Sequence, residues 1–190
     1  MEKSNTQTGV MEFFILALIG RMGLASLYAF RQDAGLEPGG IGPAIRRLES
    51  LKLITRGEPA RRRRRELALT PTGREFLEGR WTGCIRHYGD GESVLRSAGV
   101  ALIMEGPKRA ADYLDEMGAT RRSESTELKM RQEYLDRSQK DALSTLEWMR
   151  ICTEAHRRDA ESKAFLSISQ SLRERSRNDV YKEVSSAGKG

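Results

Sequence analysis

Two groups of arginines carry the clearest chemical signal in this chain of 190 residues. Arg46 and Arg47 are adjacent in a segment with helical spacing, and five consecutive arginines occupy positions 61–65. The planar guanidinium group donates paired hydrogen bonds to phosphate oxygens and to the edge of guanine. Five like charges in a row repel one another and do not favour folding, so we expect the run to bind something outside the protein. Both groups therefore indicate an anionic partner, and nucleic acid is the leading candidate.

Each group also has a plainer interpretation. Arg46 and Arg47 could be solubilising charges beside Glu49 and Lys52, because charge on an exposed helix face is usually solvated. The run at 61–65 could be a disordered basic loop or a localisation signal. The segments that precede and follow the arginines decide between these interpretations.

The positive charge is concentrated in the first part of the chain. Residues 1–82 contain 14 lysines and arginines against 9 acidic residues, whereas residues 83–190 contain 19 against 18. Hydrophobic residues make up 38% of the chain and charged residues 32%. This composition favours a small globular domain joined to long, partly exposed helices. We therefore expect the anionic partner to bind residues 1–82.

Other combinations of residues that could carry chemistry are weaker. Cys84 and His87 could present two metal ligands on one helical face, but a site needs three or four. Trp81, Tyr88 and Trp148 could line a small-molecule pocket, although aromatics near helix junctions are more often core residues. The sequence contains no phosphate-binding loop, dinucleotide-binding fingerprint or hydrolase motif. We therefore expect no enzyme, no cofactor and no metal.

The first residues resemble a secretion signal, but an internal helix fits them better. The apolar run at 13–19 is bounded by Glu12 and Arg21 and is too short to cross a bilayer. The two cysteines, Cys84 and Cys152, form no paired motif. These features predict a buried first helix and a cytoplasmic protein without a membrane segment.

The segments around the arginines follow a recognisable order. Apolar spacing predicts helices over residues 10–19, 24–32 and 41–51, with a turn at 36–40 before the third. Thr8 is the candidate N-cap of the first helix, and Gly35 can end the second. Alternating residues predict strands over 53–56 and 66–70, joined by the charged loop. A fourth helix then begins with Thr70 as its N-cap and Pro71 as its first residue. It ends near residue 81.

This order is that of a winged helix-turn-helix, in which the third helix enters a major groove and the hairpin forms a wing. The buried face of the third helix leaves its arginines on the opposite side. The run at 61–65 could then reach a minor groove or its flanking phosphates. The candidate DNA-binding residues are Gly40, Gly42, Pro43, Arg46, Arg47, Ser50, Arg61, Arg62, Arg63, Arg64 and Arg65.

The remainder of the chain is predicted to be helical. Residues 83–120 form a connecting segment, with helices at 93–105 and 108–117 that Gly106-Pro107 and Gly118 end. Residues 121–185 contain neither Gly nor Pro and predict one long helix, or two with a break near 156–159, before a disordered tail at 186–190. Imperfect heptads favour helices that pack in a bundle and pair two chains. The candidate dimerisation residues are Leu128, Leu135, Ala142, Leu146, Met149, Ala160, Ala164 and Ile168.

The first part of the chain resembles the PadR-type winged-helix transcriptional regulators. Residues 15–19 (ILALI) are similar to the core of that family's first helix, and residues 36–54 to its turn and recognition helix. Residues 69–74 (LTPTGR) match its strand-to-helix ending, which several winged-helix families share. The stretch 153–167 faintly resembles the family's helical dimerisation domain.

Two departures affect DNA recognition. The family usually carries His-Gly-Tyr at the start of its second helix, where this chain has Gly23-Leu24-Ala25. A tyrosine common in the recognition helix is replaced by Gly42. Because both positions lie near DNA in the family, its usual operator preference does not transfer to this chain.

The fold class predicted is mainly α with a small β-hairpin: a winged helix-turn-helix domain at 1–82, followed by an α-helical dimerisation domain. The corresponding function is a homodimeric regulator, usually a repressor, that binds double-stranded DNA at a pseudo-palindromic operator. The resemblance implies a small-molecule effector, whose identity the sequence leaves open. The alternative is a winged-helix protein-interaction module that does not bind DNA sequence-specifically.

Overall fold

The structure, a computed structural model, describes residues 8–23, 26–57, 66–85, 89–138 and 142–187, with the backbone alone at 38, 138, 142, 143 and 178–187. The chain divides into two compact units, Met1–Gly106 and Pro107–Gly190. The first unit contains α1 (Val10–Met22), α2 (Leu27–Ala34), α3 (Pro38–Ser50), β1 (Ile54–Arg56), β2 (Leu67–Leu69), α4 (Pro71–Cys84) and α5 (Gly91–Glu105). The second unit contains α6 (Pro107–Ser138) and α7 (Ala142–Ala187).

Helix α1 is the centre of the first unit, as its apolar composition predicts. Its side chains from Ile15 to Ile19 are all buried. The helix is longer than predicted at its end, because Gly20 continues the helix and Gly23 ends it in the left-handed conformation at φ 68°. The N-cap is Gly9 rather than the expected Thr8. A Cβ on Gly20 would lie 2.5 Å from Cδ1 of Leu69 on β2, so a larger residue there would have to displace that side chain.

The predicted turn at 36–40 is wrong for its last three residues. Pro38, Gly39 and Gly40 form the first turn of α3, which begins three residues earlier than the sequence pattern predicts. A proline fits the first helical position because the N–H group that it lacks would have no helical partner there. Helix α2, by contrast, begins later than predicted. It follows Ser26, whose Oγ accepts a hydrogen bond from the N–H of Ala29 at 3.2 Å. It ends at Gly35, φ 63°, as predicted.

The two strands pair as an antiparallel hairpin, which confirms the predicted wing strands. Ile54 lies opposite Leu69 and Arg56 opposite Leu67. The N–H of Gly57 donates to the carbonyl of Glu66 at 2.8 Å and extends the pairing by one step towards the loop. Helices α1 to α4 with this hairpin make a winged helix-turn-helix, and the fold is mainly α as predicted.

Helices α6 and α7 pack antiparallel in the second unit. The Oγ of Ser162 donates to the carbonyl of Gly118 at 2.8 Å, and the Oγ of Ser125 donates to that of Ala155 at 3.0 Å. Gly118 does not end a helix, contrary to the prediction. It lies inside α6, where a Cβ would come within 3.0 Å of Cγ of Leu166.

Helix α7 is continuous from Ala142 to Ala187. The expected break near 156–159 is therefore absent, and the helix extends two residues into the predicted tail at 186–190. The charges at 156–159 are accommodated because exposed or ion-paired side chains do not interrupt a helix. Across the ranges described, no single helix has the length and apolar composition to cross a membrane. Helices α1 and α2 have that length and composition only when taken together, and they are bent by 91° relative to each other.

Candidate nucleic-acid interface

Helix α3 has one buried face and one exposed face. Ile41, Ala44, Ile45 and Leu48 are buried, with exposed fractions between 0% and 8%. At 100° per residue, the direction opposite to this face falls on Pro43, Arg46 and Ser50, all of which are exposed. A helix with this arrangement can lie in a groove without disturbing its own packing.

Arg46 lies in the middle of the exposed face. Its Nη1 approaches Gly42, at 3.5 Å from where a Cβ of residue 42 would be. The side chain therefore extends back along the helix over a position without a side chain, the direction that helical geometry favours. Within the ranges described, no carboxylate pairs with Arg46, so its donors are available to an external acceptor.

Arg47 is placed differently from its neighbour. It lies at the edge of the exposed face and its Nη1 is 3.5 Å from Oε1 of Glu12 on α1. The side chain of Glu12 is only 10% exposed, whereas that of Arg47 is 39% exposed. Sequence reasoning missed this pair. The signal that could have found it is a lone carboxylate inside an apolar helix, since a buried charge requires a partner.

The hairpin is tied to the other edge of α3. Arg56 on β1 forms a two-pronged ion pair with Glu49, in which Nη2 lies 3.1 Å from Oε2 and Nε donates to Oε1. Paired guanidinium–carboxylate contacts of this kind fix orientation as well as distance. Strand β1 and helix α3 are therefore held together by a direct contact between their side chains. This pair, too, was not predicted from the sequence.

The other predicted residues of α3 have distinct positions. Gly40 is exposed in the first turn, Gly42 is half-buried and Pro43 is exposed. The hydroxyl of Ser50 donates to the carbonyl of Arg47 at 2.8 Å, so its proton is used within the helix and its oxygen is available as an acceptor. The run Arg61, Arg62, Arg63, Arg64 and Arg65 lies outside the described residues, and its place in the wing stays a prediction.

The predicted dimerisation residues fall on two different surfaces. Leu128 and Leu135 on α6 are half-buried and share, at spacings of seven, the face of the buried Arg121. The remaining described members are exposed on α7, away from the face that packs on α6, and the side chain of Ala142 lies outside the described residues. Those exposed members are Leu146, Met149, Ala160, Ala164 and Ile168.

A network of charges joins α6 to α7. Arg121 is 3% exposed, and its guanidinium lies 2.8 Å from both Glu124 and Glu161. Arg158 connects to the same two carboxylates at 3.2 and 3.4 Å and to Glu154 at 2.9 Å. The buried charge of Arg121 is therefore compensated by carboxylates from both helices, as a buried ion requires.

A cavity of about 290 Å³ lies at the N-terminus of α1, and one wall includes Cys84. Burial raises the pKa of Cys84 from 9.0 to about 12, so the thiol stays protonated at neutral pH. A protonated thiol is a poor nucleophile and a poor metal ligand. His87 and Tyr88 lie outside the described residues, and Trp81 is a core residue. Among the described residues, no three potential ligands are grouped as a metal site would need.

Comparisons with known proteins include a likeness to a solved structure. No protein-family model and no curated protein matches the chain. Among solved structures, the chain is similar to that described as "Crystal structure of Bacillus subtilis PadR in complex with operator DNA". The two chains are 18% identical over 86% of this chain and 99% of the other, with a TM-score of 0.35. At these values the likeness does not assign a function to this chain.

Proposed function

We propose that this chain is a sequence-specific DNA-binding transcriptional regulator that acts as a homodimer, with repression as its simplest mode of action. The observation that carries the proposal is the exposed face of α3, where Arg46 presents a guanidinium that pairs with no carboxylate of the described residues, beside Pro43 and Ser50. A fork of N–H donors on a solvent-facing helix matches the acceptor pair of guanine in a major groove. The hairpin, held at the edge of α3 by Arg56 and Glu49, supports a second contact on the DNA flank.

Pairing of two chains is supported by the exposed apolar residues of α7. Leu146 is 62% exposed, Met149 54% and Ile168 38%. Exposed apolar side chains that share one helix face favour association with another apolar surface. A two-fold dimer would present two copies of α3, and its operator would be pseudo-palindromic with half-sites about one helical turn apart, or a multiple of it. Such a dimer represses by occupying a promoter, and an effector that releases it stays a prediction.

The test is a binding measurement on two DNA duplexes at about 0.15 M salt. One duplex comes from the region upstream of the protein's own gene, and the other has the same composition in scrambled order. We expect the upstream duplex to bind more tightly in direct competition. Arg46→Ala should remove about 1–3 kcal/mol of this discrimination, the value of one paired contact to a base.

Arg175→Ala is the matched control, because it removes the same charge from an exposed residue of α7. It should leave the discrimination unchanged. Equal binding of the two duplexes by the wild-type protein would contradict sequence-specific regulation and favour the alternative, a protein-interaction module.

A further inference from the structure

The carboxylate of Glu12 connects two helices of the winged domain. Its Oε1 lies 3.5 Å from Nη1 of Arg47 on α3. Its Oε2 is turned towards the N-cap of α1, so close that a Cβ on Gly9 would lie 2.8 Å from it. Glu12 is the third residue of α1, where the positive end of the helix favours a negative charge. The carboxylate therefore lies between Arg47 and the N-terminus of α1.

The pair is asymmetric in its exposure to solvent. The side chain of Glu12 is 10% exposed and cannot follow Arg47 outwards without disturbing α1, whereas Arg47 is 39% exposed. The guanidinium of Arg47 lies at the edge of the face that carries Arg46. There it can pair either with the Glu12 carboxylate or with a DNA phosphate. If it turns to a phosphate, Glu12 remains buried without its cation, which is unfavourable. The two acceptors thus compete for one arginine.

We propose that Glu12 restrains the affinity of the protein for DNA by holding Arg47 in this intramolecular ion pair. The proposal rests on the proposed function. Arg46 and Arg47, adjacent in the sequence, then have separate roles: Arg46 reads base edges, and Arg47 contributes a phosphate contact that Glu12 opposes. Glu12 is a positioning residue. Its effect is largest on DNA of arbitrary sequence, where phosphate contacts supply nearly all of the affinity.

The experiment measures the dissociation constant for a random-sequence duplex over a range of salt concentrations. Glu12→Gln keeps the size of the side chain and removes its charge. We expect tighter binding by about tenfold at low salt. The slope of log K against log salt should steepen by about 0.9, the value of one additional phosphate contact.

A double-variant cycle separates this mechanism from a general change in charge. Glu12→Gln should tighten binding in the wild-type background and have no such effect in an Arg47→Ala background. Glu78→Gln is the matched control, because Glu78 pairs with Arg21 of α1 at 3.7 Å and, among the described residues, with no arginine of α3. It changes the net charge equally and should leave the slope unchanged.

A second variant guards against loss of folding. Glu12→Asp retains the charge but shortens the side chain by one methylene, so it should also release Arg47 and steepen the slope. Circular dichroism and thermal unfolding identify which variant remains folded. If the folded variant binds like Glu78→Gln, or tightens binding equally without Arg47, the role of Glu12 is overturned. Failure of the wild-type protein to bind any duplex, with Arg46→Ala unchanged, would instead overturn the proposed function.

Discussion

The carbonyl oxygen of Leu53 occupies the space beside Gly73 that any other residue would fill. A Cβ at position 73 would lie 1.9 Å from that oxygen and 2.8 Å from the carbonyl carbon. Thr70 completes the junction, since its Oγ1 accepts from the N–H of Gly73 at 2.9 Å and donates to the carbonyl of Lys52 at 2.7 Å. The start of α4 is thereby fixed to the residues that follow α3.

The close approach of Leu53 makes Gly73→Ala destabilising. Backbone atoms cannot move aside as a flexible side chain does, so we expect a loss of about 1–3 kcal/mol or more, as for overpacking in a core. Gly79→Ala is the matched control in the same helix. A Cβ there meets nothing within 4 Å, and the change should stabilise by about 0.5–1 kcal/mol. Chemical denaturation measures both, and equal effects would refute the steric argument.

The two cysteines should differ sharply in reactivity. Burial raises the pKa of Cys84 to about 12, so its reactive thiolate is scarce below that pH. Cys152 is partly exposed on α7. A thiol reagent at pH 8 should modify Cys152 and leave Cys84 intact until the protein is unfolded. Mass spectrometry after cleavage locates the modification. Rapid labelling of Cys84 in the folded protein would contradict its burial.

Acid should weaken the second unit through Glu154. Its pKa lies below the ordinary 4.5, because Arg157 donates a hydrogen bond to it and Arg158 adds an attractive charge. A lowered pKa means that the ionised carboxylate stabilises the folded state at pH values above 4.5, and that this contribution is lost as the pH falls through the folded-state pKa. Glu154→Gln should therefore lower the Tm at pH 7, and this decrease should become smaller as the pH falls below 4.5 towards 3.

Glu127→Gln provides the comparison for that titration. Glu127 is an exposed carboxylate of α6. Its substitution should leave the Tm unchanged at both pH values. An equal decrease for Glu154→Gln at pH 7 and pH 3 would show that the loss comes from packing and not from ionisation.

The exposed residues of α7 predict the effect of charge on dimerisation. If the proposed dimer forms through this face, Leu146→Glu combined with Met149→Glu should produce a monomer with unchanged helical content, because both side chains are exposed within the chain and only a partner would bury them. Met130→Glu on α6 is the control, since Met130 is 58% exposed, close to the 54% of Met149. Sedimentation measures the mass. A dimer that survives the double substitution would exclude this face.

Local patterns predicted the elements of the first unit well. Thr70 caps α4 and Pro71 begins it, and Gly35 ends α2, because each of these roles depends on the residue itself and on its immediate neighbours. Pro38 was misassigned for the same reason: a Pro-Gly-Gly stretch has the composition of a turn, and only the packing of Ile41 and Ile45 behind it selects a helix.

In the second unit, a glycine did not mark the end of a helix as the sequence pattern predicted. Gly118 resembles a helix end, yet its lack of a side chain serves the contact with Leu166 across the helix pair. The heptad pattern likewise placed Leu128 and Met149 in one seam. The structure places Leu128 on a half-buried face of α6. Met149 is exposed, because it lies outside the face of α7 that packs on α6.

The sequence by itself determined the helix order, the hairpin and the choice of α3 as the helix that presents arginines. Periodicity and capping depend on interactions over a few residues, so the residue types at neighbouring positions are enough to predict them. The tertiary structure decided what each arginine can do. Arg46 faces solvent, Arg47 is held by Glu12 and Arg56 by Glu49. No local pattern could assign those partners, because an ion pair depends on distance in space and on burial, which only the packing of α1, α3 and β1 sets.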